Sequence, residues 1–330
     1  MTGTSGEIGA RSLEGADSEG GGTESRAESR PVRDLLLDLA ARLGSATEAR
    51  WMLEEAIGKR KGAIASARSG TRATAEHVSR LEEMVRRRLG GEPLQYVLGS
   101  WAFRTLELSV DPRVLIPRPE TEVVVGHALD ELGLSAAGAE DHEVILAADL
   151  GTGSGAMALS LAVEGPERVG KPNLRVWATD REESSLQVAL LNAEDVSASH
   201  PGMARVSFAR GSWFAALPRE LAGHLSLVVA NPPYVSDGEW AYLDPVVRDH
   251  EPRPAIVAGP TGTEAIDEIL NAAPEWLRPN GTLVLEIAPH QAEDAALRAI
   301  VSGFDAVIVR KDFADRSRAL VARRGAERPG

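Results

Sequence analysis

After Pro117 and Pro119 the chain settles into a repeating texture that few architectures accommodate. Short apolar runs at Val144–Ala148, Leu174–Ala178, Leu225–Ala230, Leu283–Ile287 and Ala306–Val309 alternate with stretches patterned as helices. Those stretches are Glu120–Leu132, Ser184–Asn192, Glu264–Trp276 and Gln291–Ile300. A run that is apolar on both pleated faces predicts a strand with no face in water. Strands of that kind separated by helices predict an α/β domain, a mostly parallel sheet covered by helices on both sides. Arg318–Arg323 predicts a final, antiparallel strand. In such sheets ligands bind beyond the carboxyl ends of the strands, so the residues that follow each run carry the chemistry.

The upstream segments have other periods. Leu36, Leu39, Ala40 and Leu43 mark one helical face, and Trp51, Met52, Glu55 and Ala56 belong to a second helix. Val78, Leu81, Met84, Val85 and Leu89 mark a third, after a polar break at Ser69–Thr74. We therefore expect a small helical bundle over 31–95, in which the lone His77 caps or is solvated. Trp101–Val110 alternates apolar and polar until Asp111–Pro112 breaks it, which predicts a hairpin linker over 96–112. The α/β domain then occupies 113–330. Residues 1–30 hold seven Gly, five Ser and six acidic residues with almost nothing to bury, and read as a disordered tail.

Composition removes several functions. With no cysteine there is no disulfide, thiolate metal site or cysteine nucleophile. A net charge of −13 argues against a chain whose whole surface grips nucleic acid or anionic lipid. No apolar run approaches the roughly 18 residues of a membrane span, and the N-terminus has no apolar signal core. A cytoplasmic monomer is expected. The charge is uneven: residues 31–90 hold 12 basic and 8 acidic side chains, the one basic part of an acidic chain.

Three strand ends stand out. Asp149-Leu150-Gly151-Thr152-Gly153-Ser154-Gly155 follows the first run, and glycines so spaced allow a tight turn and a ligand against bare backbone. Gly151, Gly153 and Ala156 also fit a dinucleotide-binding GxGxxA, and a merely compact turn would use the same glycines. Asp180 ends the second run, where a carboxylate can accept from both hydroxyls of a ribose; with Glu183 it equally makes a capping-box-like pair. Gly151 and Asp180 lie 29 residues apart, against about 20 in a dinucleotide fingerprint, which points away from NAD.

The third end is Asn231-Pro232-Pro233-Tyr234. Two prolines end the strand and stiffen the backbone. The Asn231 side chain and the Pro232 carbonyl supply two acceptors, and Tyr234 supplies a flat face, which together form a socket for a planar NH2 group. An amide nitrogen is a poor nucleophile because its lone pair is delocalised, as a rotational barrier of roughly 18–20 kcal/mol attests. Acceptors on both N–H groups draw that nitrogen towards pyramidal geometry and aim its lone pair.

Together the three motifs resemble class I S-adenosylmethionine-dependent methyltransferases that modify planar amino groups. That resemblance implies an activated methyl on a sulfonium, with S-adenosylhomocysteine as product and no metal. Such sockets occur in amino-methylating DNA enzymes (adenine N6 or cytosine N4) and in methyltransferases of glutamine side chains. A DNA enzyme calls for a basic target-recognition region, and none is visible. Gly91-Glu-Pro-Leu-Gln-Tyr-Val-Leu-Gly99, Val114-Leu-Ile-Pro-Arg-Pro-Glu-Thr-Glu122, and Glu251-Pro252 with Ala255 and Gly259 resemble the bacterial release-factor glutamine N5-methyltransferases. So do Gly211-Ser-Trp213-Phe214, Leu285-Glu286 with Gln291, and Arg310-Lys-Asp312-Phe with Arg318; the likeness covers about residues 31–323.

The resemblance implies a class I fold: a mostly parallel seven-stranded sheet with helices on both faces, preceded by the helical bundle and hairpin linker. It also implies methylation of the glutamine in the Gly-Gly-Gln tip of peptide chain release factors, with no direct nucleic-acid substrate. Gly151, Thr152, Gly153, Ser154 and Gly155 would hold the cofactor's methionine and ribose, Asp180 its ribose hydroxyls, and Trp213 its adenine. Asn231, Pro232, Pro233 and Tyr234 would grip the glutamine amide, with Asn231 near both ligands. Ser212 stands where the family commonly has an acid, and Phe313 where it often has tyrosine. Arg118 suits either a substrate contact or an ion pair with Glu120 or Glu122, and Glu286 either a structural or a cofactor-side role.

Overall fold

The computed structural model describes residues 29–58, 71–137, 143–170 and 173–326. All but the last two residues of the expected tail, and the start of the polar break at Ser69, lie outside them. The chain forms two compact units, one ending at Arg86 and the other beginning at Arg87.

The first unit pairs two short strands, β1 (Arg30–Pro31) and β2 (Arg72–Ala73), and carries α1 (Val32–Leu43), α2 (Ala46–Ala56) and most of α3 (Ala75–Leu89). The buried face of α1 is Val32, Leu35 and Leu39, with Leu36, Ala40 and Leu43 half-buried, so the stripe is rotated slightly from the expected one. Ser45 caps α2 by accepting from the Glu48 N–H at 3.2 Å. His77 turns out to be a cap. Its Nδ1 accepts from the Thr74 N–H while Thr74 Oγ1 accepts from the His77 N–H, both at 3.3 Å. Leu81, Met84 and Val85 are buried as the period predicts, whereas Leu89 is exposed.

The second unit opens with α4 (Leu94–Leu98) and the hairpin of β3 (Ser100–Phe103) and β4 (Leu106–Ser109). Its turn places Arg104 at φ +51°, a conformation that costs a non-glycine residue free energy. The turn is tied down by that same residue: the Arg104 guanidinium donates twice to Glu164 at 2.6 Å and once to the Glu122 carbonyl at 2.8 Å. Next comes α5 (Pro119–Ala136), with Pro119 in its first turn and Glu120 and Glu122 facing the positive end of the helix dipole.

The remaining elements are β5 (Ile145–Leu150), α6 (Ala156–Val169), β6 (Leu174–Asp180), α7 (Glu183–Ser199), β7 (Arg205–Arg210) and β8 (Leu225–Ala230). They continue with β9 (Val235–Ser236), α8 (Pro245–His250), β10 (Val257–Gly259), α9 (Glu264–Trp276), β11 (Leu277–Glu286), α10 (Ala292–Val301), β12 (Ala306–Lys311) and β13 (Ser317–Arg323). Seven strands form one sheet in the order β12-β13-β11-β8-β5-β6-β7. The ladders are parallel except those of β13, which runs antiparallel to β11 and β12. The apolar runs of β5, β8 and β11 alternate between two cores, whereas in the edge strand β12 Val307 and Val309 pack on one core only and Ala306 is exposed. In β8, Leu227 and Val229 face α5 and α6, while Val228 and Ala230 face α9 and α10. That is why the run has no polar period.

The chain walks outward from β5 through β6 to β7, then returns to place β8 on the other side of β5. The switch point is thus between β5 and β8, where a sheet of this kind opens a crevice. Register makes the placement specific. Leu150, Ala230 and Leu285 pair across β5, β8 and β11, so the next residues, Gly151, Asn231 and Glu286, follow in one row.

Candidate active site

The loop after β5 is built on three left-handed glycines, Gly151, Gly153 and Gly155, at φ +76°, +55° and +84°. Both Gly151 and Thr152 donate their N–H to the Thr179 carbonyl, at 2.9 and 2.8 Å, which folds the loop back over β6. Asn192, buried on α7, donates to the Ser154 carbonyl at 2.8 Å and exchanges two bonds with Ser109 of β4, anchoring the loop from below. An added Cβ at Gly155 would lie 3.1 Å from Leu159 and 3.4 Å from Ala189, so this glycine serves the packing of α6 against α7.

Asp149 sits beneath the loop, fully buried. Its Oδ2 accepts from the Thr152 hydroxyl at 2.6 Å and from the Ala158 N–H at 3.0 Å. The second bond satisfies a first-turn donor of α6 that the Gly155 cap leaves open. Oδ1 is buried with no partner. Burial pushes this carboxyl up to about 7, against the lowering effect of those two bonds.

Asp180, at the end of β6, accepts from the Gly153 N–H and from the Glu182 N–H, both at 2.9 Å. The capping-box alternative is not what forms: Glu182 is the cap position of α7 and Glu183 instead pairs with Arg210 at 2.7 Å. Burial raises the Asp180 carboxyl too. Trp213 adopts φ +44°, unusual for a bulky residue, and its ring lies against Gly151, 3.0 Å from where a Cβ would be. Its indole N–H donates to Glu268 of α9 at 3.1 Å. Ser212 is exposed.

At the end of β8, Asn231 donates from Nδ2 to the Thr121 hydroxyl oxygen at 3.3 Å. The Thr121 hydroxyl in turn donates to Glu286 Oε2 at 2.6 Å. Pro232 is buried, and the Tyr234 carbonyl accepts from Gln291 at 3.1 Å, fixing the start of β9. The Tyr234 phenol is pushed up to about 12 by burial, with the Glu286 charge adding to it. Arg118 pairs with Glu251 rather than with Glu120 or Glu122. Glu251 is buried and also accepts from the Ile116 N–H at 3.2 Å, so one carboxylate holds the segment leading into α5.

These groups surround a single cavity of about 370 Å³. Gly151 to Ser154, Asp149, Asp180 and Trp213 line it from the β5–β7 side, and Asn231, Pro233 and Thr121 from the β8 side. Gly155, Pro232 and Tyr234 are not on its wall. Thr121, Glu251 and Glu268 carried no predicted role. The first two stood inside quoted motifs, but each acts through a partner more than 100 residues away, which no local period reveals. Among the described residues no cluster of three or more His, Cys, Asp or Glu is arranged to hold a metal. None of their helices is long and apolar enough to cross a membrane.

Comparison with known proteins fits this arrangement. Residues 34–99 match the PrmC N-terminal domain family. The chain is 39% identical over 245 residues to the release factor glutamine methyltransferase of Coxiella burnetii, covering 74% of this chain and 80% of that one. It is 38% identical over 249 residues to that of Chlorobaculum tepidum (75% and 80% covered) and 41% identical over 217 residues to that of Streptomyces coelicolor (66% and 70%).

Proposed function

The chain belongs to the release factor glutamine methyltransferase family, and on that premise we propose that its cavity methylates the N5 amide nitrogen of the glutamine in the Gly-Gly-Gln motif of peptide chain release factors, with S-adenosylmethionine as donor. One observation carries the proposal. The glycine loop, Asp180 and Trp213 share a single cavity with Asn231 and Pro233, so a nucleoside-type ligand and a planar amide meet in one enclosure. Its volume, about 370 Å³, lies within the range of small-ligand sites.

The residues present fit the donor. Asp149 keeps one carboxylate oxygen unpaired at the wall of the cavity, where a cationic group restores what burial took away. Gly151 offers bare backbone beneath the Trp213 ring. Asp180 spends one lone pair of each oxygen on a backbone N–H and has others for a ribose diol. When bound, S-adenosylmethionine supplies a methyl group activated by its sulfonium. Asn231 Oδ1, on the cavity wall, accepts one N–H of the glutamine; the Pro232 carbonyl and the Tyr234 ring, which lie off that wall, are assigned to the second N–H and to the amide plane. The two acceptors localise the nitrogen lone pair and aim it along the line of transfer.

We assign substrate docking to the helical region 31–95, whose positive balance suits an acidic face of the release factor. The transfer falls to the second unit, in whose core the hairpin residues Phe103, Leu106 and Leu108 are buried. The direct test is incubation with labelled cofactor and either release factor or DNA, followed by mapping of the label. Label on the glutamine of the tripeptide is the expected result; label on DNA alone overturns the proposal.

A further inference from the structure

The Asn231 side chain has two ends of nearly equal size and opposite character: an oxygen that accepts and a nitrogen that donates twice. Only one orientation suits a substrate that itself presents N–H donors. With the ends exchanged, donors would face donors, and the nucleophilic nitrogen would be repelled by the group meant to hold it. Backbone packing does not decide between the two orientations, because they occupy almost the same volume. Something polar has to decide it.

The deciding contact lies behind Asn231. The Thr121 hydroxyl has one hydrogen, and it is committed to Glu286 Oε2 at 2.6 Å. That bond is short and buried, and to the ionised carboxylate it is about twice as strong as a neutral one. With its hydrogen spent, Thr121 Oγ1 has only lone pairs left, so the neighbour at 3.3 Å must be a donor. Asn231 therefore turns Nδ2 towards Thr121 and leaves Oδ1 for the substrate. Thr121 and Glu286 are only 4% and 1% exposed, so water does not compete for either bond. Burial raises the Glu286 carboxyl to about 7, and against it Arg318 Nη1, 4.0 Å from the other oxygen, favours the ionised form, which can only accept and which prevails above that pH. Three elements converge to make this chain of bonds: the first turn of α5, the end of β8 and the end of β11.

We infer that Thr121, held by Glu286, is a positioning residue that fixes the polarity of the Asn231 amide, so that its oxygen and not its nitrogen meets the substrate. The inference rests on the glutamine-methylating activity proposed above, and it makes Thr121 and Glu286 act on rate through Asn231 without touching the reacting atoms.

The test compares Thr121→Val, which keeps the shape but removes the hydroxyl, with Thr121→Ser, which keeps the hydroxyl, and with Glu286→Gln. Each full-length variant is assayed for kcat and KM on a release factor, for S-adenosylhomocysteine affinity by calorimetry, and for urea stability. By analogy with the loss of one oriented hydrogen-bonding group, Thr121→Val should lower kcat by about 100-fold while KM and cofactor affinity stay within about threefold. Thr121→Ser should recover most of kcat, and Glu286→Gln should lower it by about 10-fold or more, since a neutral amide no longer dictates the direction of the Thr121 hydrogen. A Thr121→Val enzyme with kcat near wild type, or a Thr121→Ser enzyme as slow as the valine variant, overturns the inference. If the valine variant does not fold, a Glu286→Gln enzyme with unchanged kcat overturns it alone. Failure of the wild-type enzyme to methylate the release factor is a different result: it removes the proposed activity itself.

Discussion

Replacing Gly151 by alanine separates two strains that meet at one position. The first is local: at φ +76° a Cβ costs about 1–2 kcal/mol, whatever surrounds it. The second is a contact. The added Cβ would lie 3.0 Å from Trp213 Cζ3 and 3.6 Å from Cη2. The ring is not free to retreat, since its own backbone sits at φ +44° and its N–H is bound to Glu268 at 3.1 Å. Overpacking of this kind adds about 1–2 kcal/mol. Gly151→Ala should therefore lose about 2–4 kcal/mol in urea denaturation, and in a Trp213→Ala background only the local part should remain. The double-mutant cycle should thus return a coupling of about 1–2 kcal/mol. Calorimetry with S-adenosylhomocysteine should show weaker binding, because the same Cβ enters the proposed cofactor surface. A Gly151→Ala protein as stable as wild type in both backgrounds would refute the backbone argument. An equal loss in both backgrounds would refute the Trp213 contact.

Other perturbations follow from the same geometry. Asn231→Ala gives up one 3.3 Å bond of a half-buried side chain, so stability should fall by about 1 kcal/mol while methylation falls by at least about 100-fold; retention of activity would remove Asn231 from the mechanism. Arg323→Met leaves Glu131, 5% exposed, without the partner that binds both its oxygens at 2.6 and 2.7 Å. With Arg323 itself about a third exposed, the loss should be about 2–3 kcal/mol by denaturation, and cofactor affinity should not change. The basic balance of residues 31–90 predicts that KM for the release factor rises with salt between low and physiological strength; a flat KM would leave docking to other forces.

Much of this was legible in the sequence, for reasons that can be named. The run Leu225–Ala230 is a strand with the expected bounds because both its faces are buried, which leaves a continuous apolar signature. Arg205–Arg210 was not foreseen, because as the edge strand it buries its residues only partly and carries polar side chains among Val206 and Phe208. The helix Ala156–Val169 was masked by the glycine loop before it and by Gly165 and Pro166 within it. The beginning of β11 was missed for a similar reason: Pro279 and Gly281 break the apolar period and the register shifts between Leu277 and Thr282. At the site, groups that touch the cavity from one continuous motif were readable. Groups that act through a distant partner were not, since Glu251 reaches Ile116 and Glu286 reaches Thr121 only after folding.

The buried carboxyl of Glu286 should make stability and activity respond to pH in opposite directions. Burial raises it from an ordinary value near 4.5 to about 7; the Thr121 bond and the charges of Arg318 and Arg118 pull it down, and Glu120 pushes it up. Because the folded value is the higher one, the folded protein binds more protons than the unfolded chain between about 4.5 and 7. The stability that Glu286 contributes is therefore complete at acid pH and is lost as pH rises through that window, by an amount on the order of 3 kcal/mol. Asp149, also raised to about 7, adds a loss of the same sign. Catalysis runs the other way. Protonated Glu286 carries a hydrogen of its own, which releases the Thr121 hydroxyl to donate towards Asn231, and the amide loses its imposed polarity. Thus kcat should climb as pH rises through about 7, at the upper end of the window in which the Glu286 contribution to stability is lost. Glu286→Gln should flatten the kcat profile and remove that residue's share of the stability slope. If the differences between wild type and Glu286→Gln in kcat and in stability ran in parallel with pH, the assignment of both effects to one carboxyl would be refuted.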